Sequence, residues 1–334
     1  MSHQAGQEQV DAVVARVKEI GLQPELSRGE ERTLIGVIGG NAYAYREAFA
    51  HLVGIQEIIP ITKPFKLASR EFRSADTIVD VGGVRIGGRE VVVMAGPCSV
   101  ESEAQLMEAA RFVAGQGARI LRGGAFKPRT SPYSFQGLGE AGLRIMAEAR
   151  AETGLKVISE VVTPGDVDLL TRYVDIMQVG TRNMQNYALL QEVGRSGKPV
   201  MLKRGMSSTI EEWLLAAEYI LSQGNRDVIL CERGIRTFET ATRFTLDINA
   251  VPLVRELSHL PVVVDPSQGT GRWSLVAPMS LAAIAAGAQG VIIEVHPHPD
   301  SALSDGAQSL DFAAFESLMT DLRRLTEALS RQMV

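Results

Sequence analysis

The chain has 334 residues, 45% hydrophobic and 22% charged, with a net charge of −5. This is enough to bury a large core and is ordinary for a soluble globular protein. The acidic balance argues against a nucleic-acid partner, which leaves a basic footprint. No apolar run reaches the ~20 residues of a membrane span. The polar start MSHQAGQEQ lacks the apolar region of a signal peptide. Cys98 and Cys231 lie far apart and make no disulfide framework, so a reduced, cytoplasmic protein is expected.

In chain order, EQVDAVVARVKEIG reads as a helix, ERTLIGVIGG as a strand, AYREAFAHLVG as a helix and IQEIIPIT as a strand. This α-β-α-β order suits a small ferredoxin-like α+β domain over residues 1–70, with its first strand missing or hidden in the polar start. KPFKLASREFRSA (63–75) reads as a basic linker. TIVDVGGVRIGG (77–88) reads as a hairpin with a Gly-Gly turn, placed to close the bottom of a barrel. Linker and hairpin together are assigned to residues 71–89.

From residue 90 to 334 a short apolar run ending in polar residues alternates with a longer amphipathic stretch. The runs are VVVMAGPCS (91–99), ARILRGGAF (118–126), KVISEVV (156–162) and IMQVGTRN (176–183). They continue as PVMLKRG (199–205), VILCERG (228–234), VVVDPSQG (262–269) and GVIIEVHP (290–297). Richness in Val, Ile and Leu marks parallel strands buried on both faces. Stretches such as STIEEWLLAAEYILSQG open near Ser or Thr and stop at Gly, as helix caps require. Eight β-then-α units in about 250 residues predict a (β/α)₈ barrel. A doubly wound sheet would want a glycine-rich phosphate loop after its first strand, and GxGxxG is absent there.

In such a barrel the strands' carboxyl ends form the active site. Those ends carry Cys98, then Arg122 with Lys127 and Arg129, then Glu160, Arg182, Lys203, Arg233 and Asp265, and lastly Glu294 with His296. Six cations converging in an acidic protein predict a small ligand with more than one phosphate or carboxylate. A network of internal ion pairs is the alternative. Cys98, Glu294 and Asp305 offer one thiolate and two carboxylates, which suits a divalent transition metal, leaning to manganese or iron. A lone cysteine is otherwise a small buried hydrophobe, the reading given to Cys231. His296 and His298, in HPHP, serve binding or nothing. Gln268, in DPSQGTG, puts a neutral amide where an ionisable group or metal ligand would be more useful.

AGPCSVES, LRGGAFKPRTSPYSFQGLG, VGTRNMQN, LKRG, CERGIRTFE, DPSQGTG and EVHPHPDSALSDGAQSL together resemble the 3-deoxy-D-arabino-heptulosonate 7-phosphate (DAHP) synthases with a short N-terminal regulatory domain. The resemblance spans essentially the whole chain. It implies condensation of phosphoenolpyruvate with erythrose 4-phosphate, the first step of the shikimate pathway. It further implies that Arg182, Lys203 and Arg233 hold the phosphoenolpyruvate phosphate and Arg122 its carboxylate. Arg129 and Thr130 would then take the sugar phosphate, and Lys127 would supply a proton. Glu160 and Asp265 join the substrate-binding set, and Cys98, Lys127 and Asp265 the catalytic one. The implied metal is Mn²⁺, with Fe, Co or Zn as alternatives, bound by Cys98, Glu294, Asp305 and the residue at 268. There the family has a histidine, so Gln268 ligates through its amide oxygen, yields to a water, or impairs the site.

The resemblance also implies a homotetramer and inhibition by an aromatic amino acid near Ser27, although Glu25 stands where a histidine is expected. Two other readings compete. One is an octulosonate 8-phosphate synthase-like enzyme, against which KPRTSPYSFQG argues. The other is a binding or regulatory homologue weakened in catalysis, for which Gln268 is the only support.

Overall fold

The computed structural model describes residues 1–2, 5–28, 33–40, 42–59, 63–129 and 131–334. The chain divides into units of Met1–Ala75 and Asp76–Val334. In the first, a helix spans Gln7–Glu19 because Val10, Val13 and Val17 recur on one face and are buried. They pack with Phe49, Leu22, Ile35 and Val37. Strand β1 (Gln23–Arg28) pairs antiparallel with β2 (Thr33–Ile38).

Three expectations change here. The β1 strand was not foreseen: QPELSR carries a proline and polar residues, and its pairing with β2 supplies what its composition does not. AYREAFAHLVG is wound as a 3₁₀ helix over Ala42–Phe49, with Phe49 its one buried residue. That is too small an apolar face to propagate an α-helix. IQEIIPIT forms no strand over residues 55–59, and its remaining residues lie outside the described ones. Among the described residues the order is therefore helix, strand, strand, 3₁₀ helix. In the 63–75 stretch Phe65, Leu67, Ala68 and Phe72 are buried, and the unit boundary falls after Ala75.

The second unit begins with a hairpin, β3 (Val79–Val81) and β4 (Val84–Ile86). Gly82 and Gly83 turn it with φ of 56° and 93°, left-handed angles that favour glycine. Eight parallel strands follow: β5 (Glu90–Gly96), β6 (Ile120–Arg122), β7 (Lys156–Val161) and β8 (Ile176–Val179). They continue as β9 (Val200–Lys203), β10 (Val228–Glu232), β11 (Val262–Val264) and β12 (Gly290–Glu294). Each pairs with the next, and β12 returns to β5, so the barrel is closed and has no edge. A short β13 (Gln332–Met333) adds to β5 at its amino-terminal end.

The interior is filled by Met94, Ile120, Ile158, Ile176, Met201, Ile229, Cys231, Val263 and Ile292, and Val79, Val81, Val84 and Ile86 join that cluster. The hairpin thus plugs the end opposite the carboxyl ends of the strands. All eight strands stop short of the predicted ranges: Arg122, Lys203 and Glu294 are the last residues of their strands, whereas Cys98, Arg182, Arg233 and Asp265 lie in the segments beyond.

Ile86 is fully buried in this plug. Ile86→Ala should destabilise the barrel by about 2–5 kcal/mol through the cavity it leaves. Urea denaturation measures this, and unchanged stability would mean the hairpin is dispensable.

Candidate active site

Strand β11 ends at Val264, and the next residues, PSQGT, form one helical turn over Pro266–Thr270. The turn takes up residues that the run VVVDPSQG would have placed in the strand. Its causes are local: Asp265 caps it by accepting from the Gln268 N–H at 2.9 Å, and Pro266 takes the first helical position. The other Asp265 oxygen meets Lys203 Nζ at 2.5 Å, with both side chains almost wholly buried. Burial disfavours the Asp265 carboxylate, but Lys203 and Arg122 outweigh it and hold the carboxyl below its ordinary range.

Below the rim, Arg204 Nη1 lies 2.9 Å from both Glu232 and Asp247, and Glu232 also accepts from Gly234 N at 2.6 Å. This buried network ties the ends of β9 and β10, which carry Lys203 and Arg233. Arg233 lies over the Phe244 ring, 3.9 Å from its centroid. Burial pulls the Arg233 pKa down. The Nε groups of Arg122 and Arg233 are buried and have no hydrogen-bond partner among the described residues. An anion in the adjoining cavity would supply one.

Cys98, after the Gly96-Pro97 turn, joins Glu294 and Asp305: their donor atoms all lie within 4.8 Å of one another. Glu294 Oε1 is 3.1 Å from Arg122 Nη1, and Asp305 Oδ2 accepts from Cys98 Sγ at 3.4 Å. Burial, then Glu294, pushes the Cys98 thiol up to about 11. A divalent cation would reverse that by stabilising the thiolate and offsetting two crowded carboxylates. The donor set therefore fits such an ion.

The Gln268 amide faces this group with its nitrogen. Nε2 donates to Glu294 Oε1 at 2.8 Å and reaches Asp305 Oδ2 at 3.5 Å, while Oε1 accepts from Arg233 Nη2 at 3.3 Å. The reverse orientation would set oxygen against carboxylate and N–H against guanidinium. As oriented, Gln268 presents the group with donors and no lone pair.

A cavity of about 270 Å³ opens above, lined by Arg122, Lys127, Arg129, Arg182, Lys203, Arg233, Glu160, Gln268 and Asp305. Lys127 Nζ lies 3.0 Å from Cys98 Sγ. Burial opposes its charge, yet Cys98, Glu160 and Glu294 prevail and raise its pKa. A Cβ at Gly180 would sit 1.9 Å from Glu160 Oε1, so any larger residue there would displace the Glu160 carboxylate from its present position. Thr130 lies outside the described residues, and Ser27 falls on β1 with its side chain outside them. His296 is buried, 3.4 Å from Glu101 Oε2, and its Nδ1 accepts from His298 N; neither histidine lines the cavity.

Sequence reasoning missed Arg243, Gln178, Ser131 and Ser134, which also line the cavity, and the buried Gln308 beside Glu294. Gln178 follows an apolar pattern that masks it. Arg243 sits in a long loop with no periodicity to flag it.

Asp265→Asn would leave Lys203 buried and unpaired, at a cost of about 3–5 kcal/mol at pH 7. A depressed carboxyl stabilises the fold above its unfolded pKa of ~3.9, and that contribution fades as pH falls through the lower folded value. Urea denaturation from pH 7 to pH 3 should show a constant gap between wild type and variant that narrows only below about pH 4. A gap independent of pH would contradict the pairing.

Comparison with known proteins bears on this arrangement. Residues 68–331 match the DAHP synthetase I family, and residues 1–63 the DAHP synthase ferredoxin-like domain. The chain is 51% identical over 323 residues to the phospho-2-dehydro-3-deoxyheptonate aldolase of Thermotoga maritima, covering 97% of this chain and 96% of that protein. The crystal structure of the Thermotoga maritima DAHP synthase aligns with a TM-score of 0.81 at 50% identity, over 100% of this chain and 98% of the other. The 2-dehydro-3-deoxyphosphooctonate aldolase of Syntrophobacter fumaroxidans is 33% identical over 261 residues, 73% of this chain and 90% of the relative. By the span of these matches and by its closed eight-stranded barrel, the chain belongs to the DAHP synthetase I family.

Proposed function

We propose that the cavity condenses phosphoenolpyruvate with erythrose 4-phosphate and water, giving 3-deoxy-D-arabino-heptulosonate 7-phosphate and inorganic phosphate. The observation that carries this is charge. Seven cations and two carboxylates line the cavity, and Asp265 and Glu294 are the carboxylates paired beneath with Lys203 and Arg122. Seven against four leaves a surplus of three positive charges, which suits the phosphate and carboxylate of phosphoenolpyruvate.

In this reading Arg182, Lys203 and Arg233 hold the phosphate and Arg122 the carboxylate, where the orphan Nε groups of Arg122 and Arg233 gain an acceptor. Arg129 and Thr130 take the sugar phosphate, and Glu160 and Asp265 fix the cations around the reacting atoms. Carbon 3 of phosphoenolpyruvate bonds to the aldehyde carbon, and the aldehyde oxygen takes a proton from the Lys127 ammonium. Water adds its hydroxyl to carbon 2 and its proton restores Lys127. The resulting hemiketal collapses to the ketone, its hydroxyl proton leaving with the phosphate. A divalent cation on Cys98, Glu294 and Asp305, which we read as manganese over iron, cobalt or zinc, supplies Lewis acidity for the aldehyde oxygen when bound.

The octulosonate alternative is supported only by the more distant relatives, whose match covers 73% of this chain for the Syntrophobacter protein. We read the N-terminal unit as the site of inhibition by tyrosine or phenylalanine in a homotetramer, supported by its match to the ferredoxin-like domain. Removing residues 1–70 should abolish that inhibition, and persistence of inhibition would refute the reading.

Three further outcomes are expected. Chelated protein with manganese restored should release phosphate with erythrose 4-phosphate and far less with arabinose 5-phosphate; the reverse preference would favour the octulosonate reading. Arg129→Ala should cost about 2–4 kcal/mol in kcat/KM for the sugar phosphate, and a change confined to phosphoenolpyruvate KM would contradict its role. Gln268→His, which exchanges an inward N–H for an imidazole lone pair, should tighten Mn²⁺ at least ~10-fold and raise kcat at least ~10-fold, or ~1.4 kcal/mol of barrier. Calorimetry and kinetics at saturating manganese measure both, and equal values in the two forms would show Gln268 to be a competent ligand or a bystander.

A further inference from the structure

We propose that Arg243 and Gln308 are positioning residues, a two-step relay that holds the carboxylates of Glu294 and Asp305 together as ligands. The proposal rests on the reading of Cys98, Glu294 and Asp305 as a metal centre. Arg243 Nη1 donates to Gln308 Oε1 at 2.7 Å, and Gln308 Nε2 donates to Glu294 Oε2 at 2.7 Å. The same Nη1 lies 3.5 Å from Asp305 Oδ1. One guanidinium nitrogen thus serves both carboxylates, Asp305 directly and Glu294 through a buried amide.

Charge fixes the direction of the relay. A flipped Gln308 would turn its oxygen on the Glu294 carboxylate and its N–H groups on Arg243, two repulsive contacts in place of two hydrogen bonds. Arg243 therefore sets which end of Gln308 faces Glu294. The remaining Glu294 oxygen is engaged by Arg122 and Gln268, so donors on both sides fix the carboxylate plane.

Backbone contacts hold the relay in place. Arg243 N donates to Thr270 O at 3.1 Å and Phe244 N to Gly269 O at 3.2 Å, clamping this loop to the turn that carries Gln268. Gly271, in the left-handed region at φ 68°, lets the loop close in, because a Cβ there would lie 2.4 Å from Arg243 Cβ. Gln308 N donates to Asp305 O at 3.2 Å, so the amide and the Asp305 carboxylate move as one turn. Loops after β10, β11 and β12 meet at this point. Two carboxylates whose oxygens crowd one thiol would otherwise splay apart.

The test is metal affinity rather than turnover. Mn²⁺ binding is measured by calorimetry on chelated full-length protein, for wild type, Arg243→Leu, Arg243→Lys, Gln308→Leu and the double leucine variant. Co²⁺ added to the same proteins reports, through its thiolate charge-transfer band, whether Cys98 ligates. Loss of either relay member should weaken Mn²⁺ by roughly 10–100-fold and reduce the cobalt band. The double variant should be no weaker than the worse single one, and Arg243→Lys should recover most of the affinity. Arg243 has a side chain 38% exposed, so its variants carry the test even if Gln308→Leu fails to fold. Affinities within twofold of wild type, or losses that simply add, would overturn the relay while leaving the metal centre standing. A wild-type chain that takes up neither Mn²⁺ nor Co²⁺ would overturn the metal reading and the relay with it.

Discussion

Like-charge crowding at one end of a barrel is the constraint on which the rest of this structure depends. Seven cationic side chains share one cavity, and without compensation they would repel one another in a setting of low dielectric. Two devices contain them. Beneath the cavity Asp265 meets Lys203 and Glu294 meets Arg122 at 2.5 and 3.1 Å. Below the rim, Arg204 is held between Glu232 and Asp247, which braces two strand ends with one more cation that does not face the cavity. What remains unbalanced faces the cavity, so the energy that an anion would recover on binding is already stored in the fold.

The barrel makes this affordable. Closure of eight strands leaves no edge, and an apolar interior plugged by the Val79–Ile86 hairpin supplies burial far from the charged rim. Stability is concentrated at one end and chemistry at the other, the division this architecture imposes. The strand ends and the loops after them gather at one rim, which is how residues more than 200 positions apart, such as Cys98 and Asp305, come within 3.4 Å.

Much of this was legible in the sequence because the barrel's signals are local and repeated. Val-rich runs, caps and polar run-ends identified all eight strands and the cations beyond them. The strand ends were overrun because a run of β-branched residues does not announce where pairing stops; VVVDPSQG changes from strand to helical turn within two residues, although Asp265 as cap and Pro266 at the first position carry that signal. β1 was missed because QPELSR owes its strand to a partner, not to its own residues. Arg243 and Gln308 were illegible for a deeper reason: nothing in either loop reports that they meet at 2.7 Å. Gln268 was conspicuous by its residue type, but only the structure turns its nitrogen toward the carboxylates and its oxygen toward Arg233.

The central claim is that the cation circle is an anion site in its own right, built before any metal binds. It is tested most directly by titrating phosphoenolpyruvate into chelated protein in a calorimeter at two ionic strengths. The account predicts saturable one-site binding without metal that weakens as salt rises, because screening acts on the charges that hold the ligand. Absence of binding until a metal is restored, or binding indifferent to salt, would contradict it.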